Sequence, residues 1–218
     1  MSEIPPVSRR SLLGAGLGTA VAVGAASPAW ALVATPWQTP GPFYPDRVPL
    51  DSDTDLIHVA GQDRSANGIP TQVFGQVLDE DGRPIAGARV ELWQCDAFGQ
   101  YHHPRDRGGH ADPAFQGYGR MAAGDDGGYR FLTIKPVSYP GRTPHIHFAV
   151  SGPGIERLTT QMYVSGEPLN ARDGLYNRIR DERARASVTV DLVPDASVGP
   201  DGLSGRFDIV LGRDFIRS

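Results

Sequence analysis

Short stretches of alternating apolar residues, each closed off by Gly, Pro or Asp, constrain this chain more than any other feature. Thr71–Asp79 sets Val73, Gly75 and Val77 on one side and Phe74, Gln76 and Leu78 on the other, and a turn signal, Asp79-Glu80-Asp81-Gly82, overlaps its end. Ala88–Asp96 alternates again, with Val90, Leu92 and Gln94 against Glu91, Trp93 and Cys95. Tyr129–Lys135, His145–Ser151, Leu158–Val164, Ser187–Val193 and Arg206–Leu211 have the same character. A period of two in short segments rich in β-branched and aromatic residues predicts half-buried strands. Gly174–Arg185 alone reads as helical. The 27 Gly and 19 Pro suit a chain of many turns. The expected fold class is therefore all-β, a β-sandwich of short, mostly antiparallel strands with long active-site loops. Those loops are Ala97–Gly128 and Pro136–Pro144. Long connections in a compact domain tend to carry function.

Composition narrows the functional classes. With 218 residues and 39% apolar content the chain can bury one sizeable core. Its 21 basic and 25 acidic residues leave a net charge of −4, which argues against a nucleic-acid partner. The single Cys95 excludes an intrachain disulfide framework and reads as a small buried apolar residue beside Trp93. Arg9-Arg10, an uncharged stretch to Ala26 and small residues at Ala29 and Ala31 have the layout of a twin-arginine export signal. The expected organisation is a signal peptide over 1–31, an irregular N-terminal arm over 32–70 and a sandwich domain over 71–218. The expected location is periplasmic or extracellular, without stable membrane insertion after cleavage.

The chemistry concentrates at Tyr139-Pro140-Gly141-Arg142-Thr143-Pro144-His145-Ile146-His147-Phe148. Pro144 disfavours helix before it, so His145-Ile146-His147 opens a strand. Residues two apart share a strand face, so both imidazoles can meet one ion. The motif by itself fits a surface strand with two polar outward positions equally well. Four of the six His, at 102, 103, 145 and 147, fall in or beside the long loops together with several Tyr. Imidazole suits zinc, copper and iron alike, whereas phenolate favours a hard ion such as Fe(III). His102 and His103 read first as exposed loop residues, and His58 and His110 have no spacing partner. Tyr44 and Tyr118 fit pocket lining or packing. No Gly-x-Ser-x-Gly nucleophile motif or phosphate-cradling loop is present.

These residues resemble the intradiol ring-cleavage dioxygenases, the family of protocatechuate 3,4-dioxygenase and catechol 1,2-dioxygenase. The resemblance runs from about Thr39 to Phe215. Gln38-Thr39-Pro40-Gly41-Pro42-Phe43-Tyr44 is similar to the family's opening segment. Val73-Phe74-Gly75-Gln76-Val77, Val90-Glu91-Leu92 and Gly99-Gln100-Tyr101 match the pattern that ends in its first ligand tyrosine. Tyr139-Pro140 and Arg142 to Phe148 match its second tyrosine and its Arg-x-x-His-x-His-Phe block. Leu158 to Tyr163 and Arg206 to Leu211 match later strands. The resemblance implies Fe(III) held by Tyr101, Tyr139, His145 and His147, and a catechol-type substrate opened with O2 to a muconate-type dicarboxylate. It further implies that Tyr139 leaves the metal and takes a proton, that Arg142 stabilises charge on the ring, and that Gln161 bonds near both.

The sequence also departs from the larger members. Only five residues separate Tyr139 from His145, and the helical N-terminal region of catechol-type members is missing. Size favours a protocatechuate-type subunit and leaves open a homo-oligomer or a partner subunit. Two other readings compete. Gly75 to Leu92 also resembles non-catalytic transthyretin-like and carboxypeptidase-regulatory-like binding sandwiches, which do not need Tyr101, Tyr139, His145 and His147 together. A zinc or copper enzyme built on the histidines is the third reading.

Overall fold

The structure, a computed structural model, describes residues 32–217. The export leader expected over 1–31 lies outside them. Two five-stranded sheets pack face to face as an all-β sandwich. The first is built on β1 (Pro70–Asp79), which pairs with β4 (Gly128–Ile134), β9 (Leu203–Arg206) and β10 (Ile209–Leu211). The short β8 (Val193–Pro194) extends it beyond β9. The second has the order β3 (Tyr118–Ala122), β2 (Arg89–Trp93), β5 (His145–Gly152), β6 (Ile155–Val164), β7 (Thr189–Val190). Antiparallel pairs predominate, although β1 runs parallel to β9 and β10, and β6 parallel to β7.

The alternation on β1 holds: Thr71, Val73, Gly75 and Val77 are buried while Phe74, Gln76 and Leu78 are half-buried. On β2 and β5 both faces are buried, which alternation alone does not foretell. Val90, Leu92, Ile146, Phe148 and Val150 belong to the core between the sheets, together with Val73, Val77, Phe131 and Phe207. Trp93, Cys95, Tyr101, Tyr118 and Ala149 form a second cluster on the outer face, roofed by Phe43, Tyr44, Val137 and Tyr139. The roof comes from the arm and the loops.

Several expected boundaries need correction. The loop expected over Ala97–Gly128 contains β3 at Tyr118–Ala122, an edge strand in which Arg120 and Ala122 are exposed. Ser187–Val193 is not one strand; it breaks into β7 and the start of β8. The helix expected over Gly174–Arg185 is interrupted: a 3-10 turn at Tyr176–Arg178 and the start of α1 (Glu182–Ser187) are separated by the non-helical residues 179–181. Asp181 caps α1 by accepting from the Ala184 N–H, and that cap sets where the helix begins. Arg206–Leu211 is broken at Phe207-Asp208, where the Phe207 N–H bonds to the Phe74 carbonyl and Asp208 accepts from the Gln76 N–H.

Gly75 lies at that break. A Cβ on it would sit 1.9 Å from the Phe207 carbonyl oxygen, so no side chain fits without moving backbone. Gly75→Ala should therefore pry β1 from the β9–β10 segment. The expected loss is about 1–3 kcal/mol of unfolding free energy, read by chemical denaturation.

Candidate active site

His145 and His147 project from the outer face of β5, because Ile146 and Phe148 between and beyond them are drawn into the core. Across the strand pairs His147 faces Trp93 on β2 and Gln161 on β6, and His145 faces Tyr163. The Trp93 ring stacks on His147, with centroids 4.9 Å apart and planes 7° from parallel. His145 Nδ1 lies 2.6 Å from the Thr143 carbonyl, so that nitrogen carries the proton and Nε2 keeps its lone pair. The two Nε2 atoms are 3.2 Å apart. Burial, and then the Arg142 charge, push the His145 pKa down to about 4. Burial with neighbouring His145 and Arg142 holds His147 well below the usual imidazole range. Both rings are neutral near pH 7 and available as lone-pair donors.

Tyr139 comes from the connection between β4 and β5. The Arg142 N–H bonds to the Tyr139 carbonyl at 2.9 Å, which folds the intervening residues into a turn. Tyr139 Oη lies 3.4 Å from His145 Nε2. The Tyr101 ring meets the Tyr139 ring edge-on at 5.8 Å and lies 6.4 Å from the His147 ring. Phe43 of the arm stacks on Tyr101 at 4.7 Å. Carboxylates hold the Tyr101 loop. Asp106 accepts the Tyr101 N–H, and Asp96 accepts the N–H groups of Phe98, Gln100 and Asp112. Tyr101 Oη and His147 Nδ1 are buried with no hydrogen-bond partner. Burial pushes the Tyr101 phenol well above its ordinary value and pushes Tyr139 up too, with Arg142 pulling Tyr139 the other way.

Arg142 ties the site together. Its Nε donates to Asp173 Oδ2 at 2.8 Å, its Nη1 lies 3.5 Å from Tyr139 Oη, and its Nη2 donates to Gln161 Oε1. Gln161 in turn donates to the Thr39 carbonyl of the arm at 3.1 Å. The arm is stitched to β6 by a Gln38 N–H bond to the Thr159 carbonyl and a Tyr163 Oη bond to Gln38 Oε1. A groove of about 490 Å³ opens beside Tyr139, Gly141 and Arg142, with Leu169, Arg172 and Asp173 opposite. Burial alone would raise the Asp173 carboxyl. The Tyr176 and Thr143 N–H groups and the Arg142 guanidinium outweigh it and hold it below the ordinary carboxylate range.

The structure thus gathers Tyr101, Tyr139, His145, His147, Arg142 and Gln161 on one sheet face. It leaves His58, His102 and His110 on exposed positions away from the cluster. His103 is buried, contrary to the exposed position expected for it, between the Phe43 ring at 5.8 Å and Asp46. Tyr118 is a packing residue whose hydroxyl donates to the buried Glu91, and Tyr44 reaches the same carboxylate. Arg157 pairs with Glu91 at 2.7 Å and lies over the Tyr44 ring, which clamps the arm to β2. Burial pushes the Cys95 thiol up to about 12, so it stays protonated and inert. Asp173 escaped the sequence reading, since an Asp before Gly looks like an ordinary turn residue.

A β-sandwich with His and Tyr donors sunk beneath an aromatic roof is the layout of an enzyme site rather than of a docking face. Residues 39–213 match the family described as Dioxygenase. The chain is 41% identical over 179 residues to the protocatechuate 3,4-dioxygenase beta chain of Burkholderia cepacia, covering 78% of this chain and 75% of that one. It is 32% identical over 197 residues to the hydroxyquinol 1,2-dioxygenase of Nocardioides simplex, covering 78% of this chain and 62% of that one. The dioxygenase domain of a carbohydrate-binding fusion protein from Streptomyces sp. SirexAA-E superposes with a TM-score of 0.64 at 31% identity, covering 83% of this chain and 99% of that domain. The chain belongs to the intradiol ring-cleavage dioxygenase family and is an enzyme of that class. The reading as a non-catalytic binding sandwich is thereby set aside.

Asp112 anchors the far end of the Tyr101 loop by accepting from Arg64, Asn67 and the Ala114 N–H. The Arg64 guanidinium holds its carboxyl well below the usual range. Its stabilising effect is complete above the unfolded carboxylate value of about 3.9 and is lost as pH falls through the native value. Asp112→Asn should be less stable at neutral pH and lose less stability than the wild type below about pH 4. Thermal unfolding across that pH range measures both.

Proposed function

We propose that this chain is a non-haem Fe(III) intradiol dioxygenase that opens a catechol-type ring with O2 between its two hydroxylated carbons, giving a muconate-type dicarboxylate. The observation that carries the reading is the convergence of Tyr139 Oη, His145 Nε2 and His147 Nε2 within 3.2–3.4 Å contacts beside the orphaned Tyr101 Oη. Donors held about 2.0–2.1 Å from one first-row ion stand roughly 3–3.4 Å from each other. Among the described residues no group of three His, Cys, Asp or Glu could hold a metal. His145 and His147 therefore have the tyrosines as their nearest further protein donors, and hard phenolate oxygens favour iron(III) over zinc or copper. Tyr101, Tyr139, His145 and His147 would hold it. When bound, the ion would keep the phenols ionised far below their buried values and draw electron density from a chelated catechol.

The chain's own residues do the rest. Tyr139 Oη, as a phenolate, accepts a proton from one catechol hydroxyl. Arg142, 3.5 Å from that oxygen, stabilises the negative charge that the ring gains. Gln161 fixes the far nitrogen of the guanidinium and links it to the arm. Phe43 and Trp93 keep water from the donor atoms. A protocatechuate-type substrate is supported by the Burkholderia relative, and the Nocardioides relative keeps hydroxyquinol among the substrates to assay. We also propose export by the twin-arginine route, on the strength of Arg9-Arg10 and the small residues up to Ala31.

Oxygen uptake with protocatechuate, catechol and hydroxyquinol tests the substrate class, and uptake with none of them would sink the reading. Iron-loaded protein should be reddish from tyrosinate-to-Fe(III) charge transfer. Tyr139→Phe should shift that visible band and slow turnover. Arg142→Ala should keep the iron and lower kcat by about 10²–10³. A colourless, iron-replete wild type would refute the tyrosine ligation.

A further inference from the structure

We propose that Asp173 is a positioning residue for ring opening, holding the Arg142 guanidinium in one orientation toward the reacting site; this rests on the functional reading given above. Arg142 sits in a connection without regular structure and follows Gly141, whose φ is +81°. Its backbone therefore does little to fix a long, rotamer-rich side chain. The constraint must come from what the side chain touches. Asp173 Oδ2 accepts from Arg142 Nε at 2.8 Å and from the Thr143 N–H at 3.0 Å. Its Oδ1 accepts from the Leu175 and Tyr176 N–H groups at 2.9 and 3.0 Å. The Asp173 side chain is wholly buried, at 0% exposure.

A carboxylate gripped by four donors cannot turn. Held by its Nε, the guanidinium must direct Nη1 to Tyr139 Oη and Nη2 to Gln161 Oε1. A charge fixed in this way stabilises developing negative charge without first reorganising. The carboxylate also steadies Thr143, whose carbonyl sets the His145 tautomer. That second link does not depend on Asp173 alone, since Thr143 Oγ1 donates to Asn170 Oδ1 at 2.7 Å. Loss of Asp173 should accordingly free Arg142 while leaving the histidines in place.

Asp173→Asn separates the positioning role from the turn. Its Oδ1 still accepts from Leu175 and Tyr176, while its Nδ2 opposes the donors of Arg142 and Thr143. The variant should keep its iron, its visible band and a catechol KM within about threefold of the wild type, and lose at least about tenfold in kcat. Combined with Arg142→Ala it should be no slower than Arg142→Ala alone, because the two act as one unit. In the metal-free chain, the same pair should recover in the double variant part of the Tm lost in Asp173→Asn. Asp173→Glu, which keeps the charge but shifts it by a methylene, is the second variant should the first not fold, and the same kcat-only loss is expected. Losses that multiply in the double variant, or an unchanged kcat in a folded variant, would overturn the positioning role. A wild type that opens no catechol ring overturns the functional reading and this role with it, whereas an active wild type with multiplying losses overturns this role alone.

Discussion

Strand β5 is held from both sides, and the site depends on that grip. Ile146, Phe148 and Val150 lock it into the core between the sheets, while β2 and β6 flank it through antiparallel ladders. A slip of one residue along either ladder would exchange the faces and sink the imidazoles among the core aliphatics. The packing energy of a hydrophobic core therefore fixes where two nitrogen atoms point. Trp93 adds to this from the neighbouring strand, because its register against His147 puts one flat ring on the other.

Around that strand, carboxylates organise backbone that no ladder reaches. Asp96, Asp106, Asp112 and Asp173 each accept from main-chain N–H groups in the irregular segments bearing Tyr101, Arg142 and Thr143. A buried N–H without a partner costs about 1–3 kcal/mol, so these acceptors let loops pass under a roof where water cannot serve them. The scaffold supplies rigidity through hydrogen bonding, and Cys95 stays a free, buried thiol.

Much of this was legible in the sequence because the signals are local. The β1 alternation, the His145-x-His147 spacing and the opening of a strand after Pro144 follow from backbone geometry alone. What escaped depends on partners far along the chain. Strand β3 hides in a long connection because Tyr118–Ala122 contains Gly119 and Arg120 and gains its order from pairing with β2. The interruption at Phe207-Asp208 reflects the close approach of Gly75, more than 130 residues away. His103 is buried because Phe43 and Asp46 of the arm reach it. The grip of Asp173 on Arg142 spans 31 residues and leaves no periodic trace. Alternation likewise does not reveal that the outer face of β2 is covered, since Glu91 and Trp93 read as an ordinary mixed face.

The arm has a further consequence for the order of events during synthesis. Thr35 bonds to Val210 across 175 residues, and Gln38 accepts from Thr159 across 121. The segment that roofs the donor atoms emerges from the ribosome early, yet one of its partners belongs to the last strand made. Contacts of such long separation form late, because loop closure must come first. The cover over His145 and His147 therefore depends on closing loops of this length before the arm can dock.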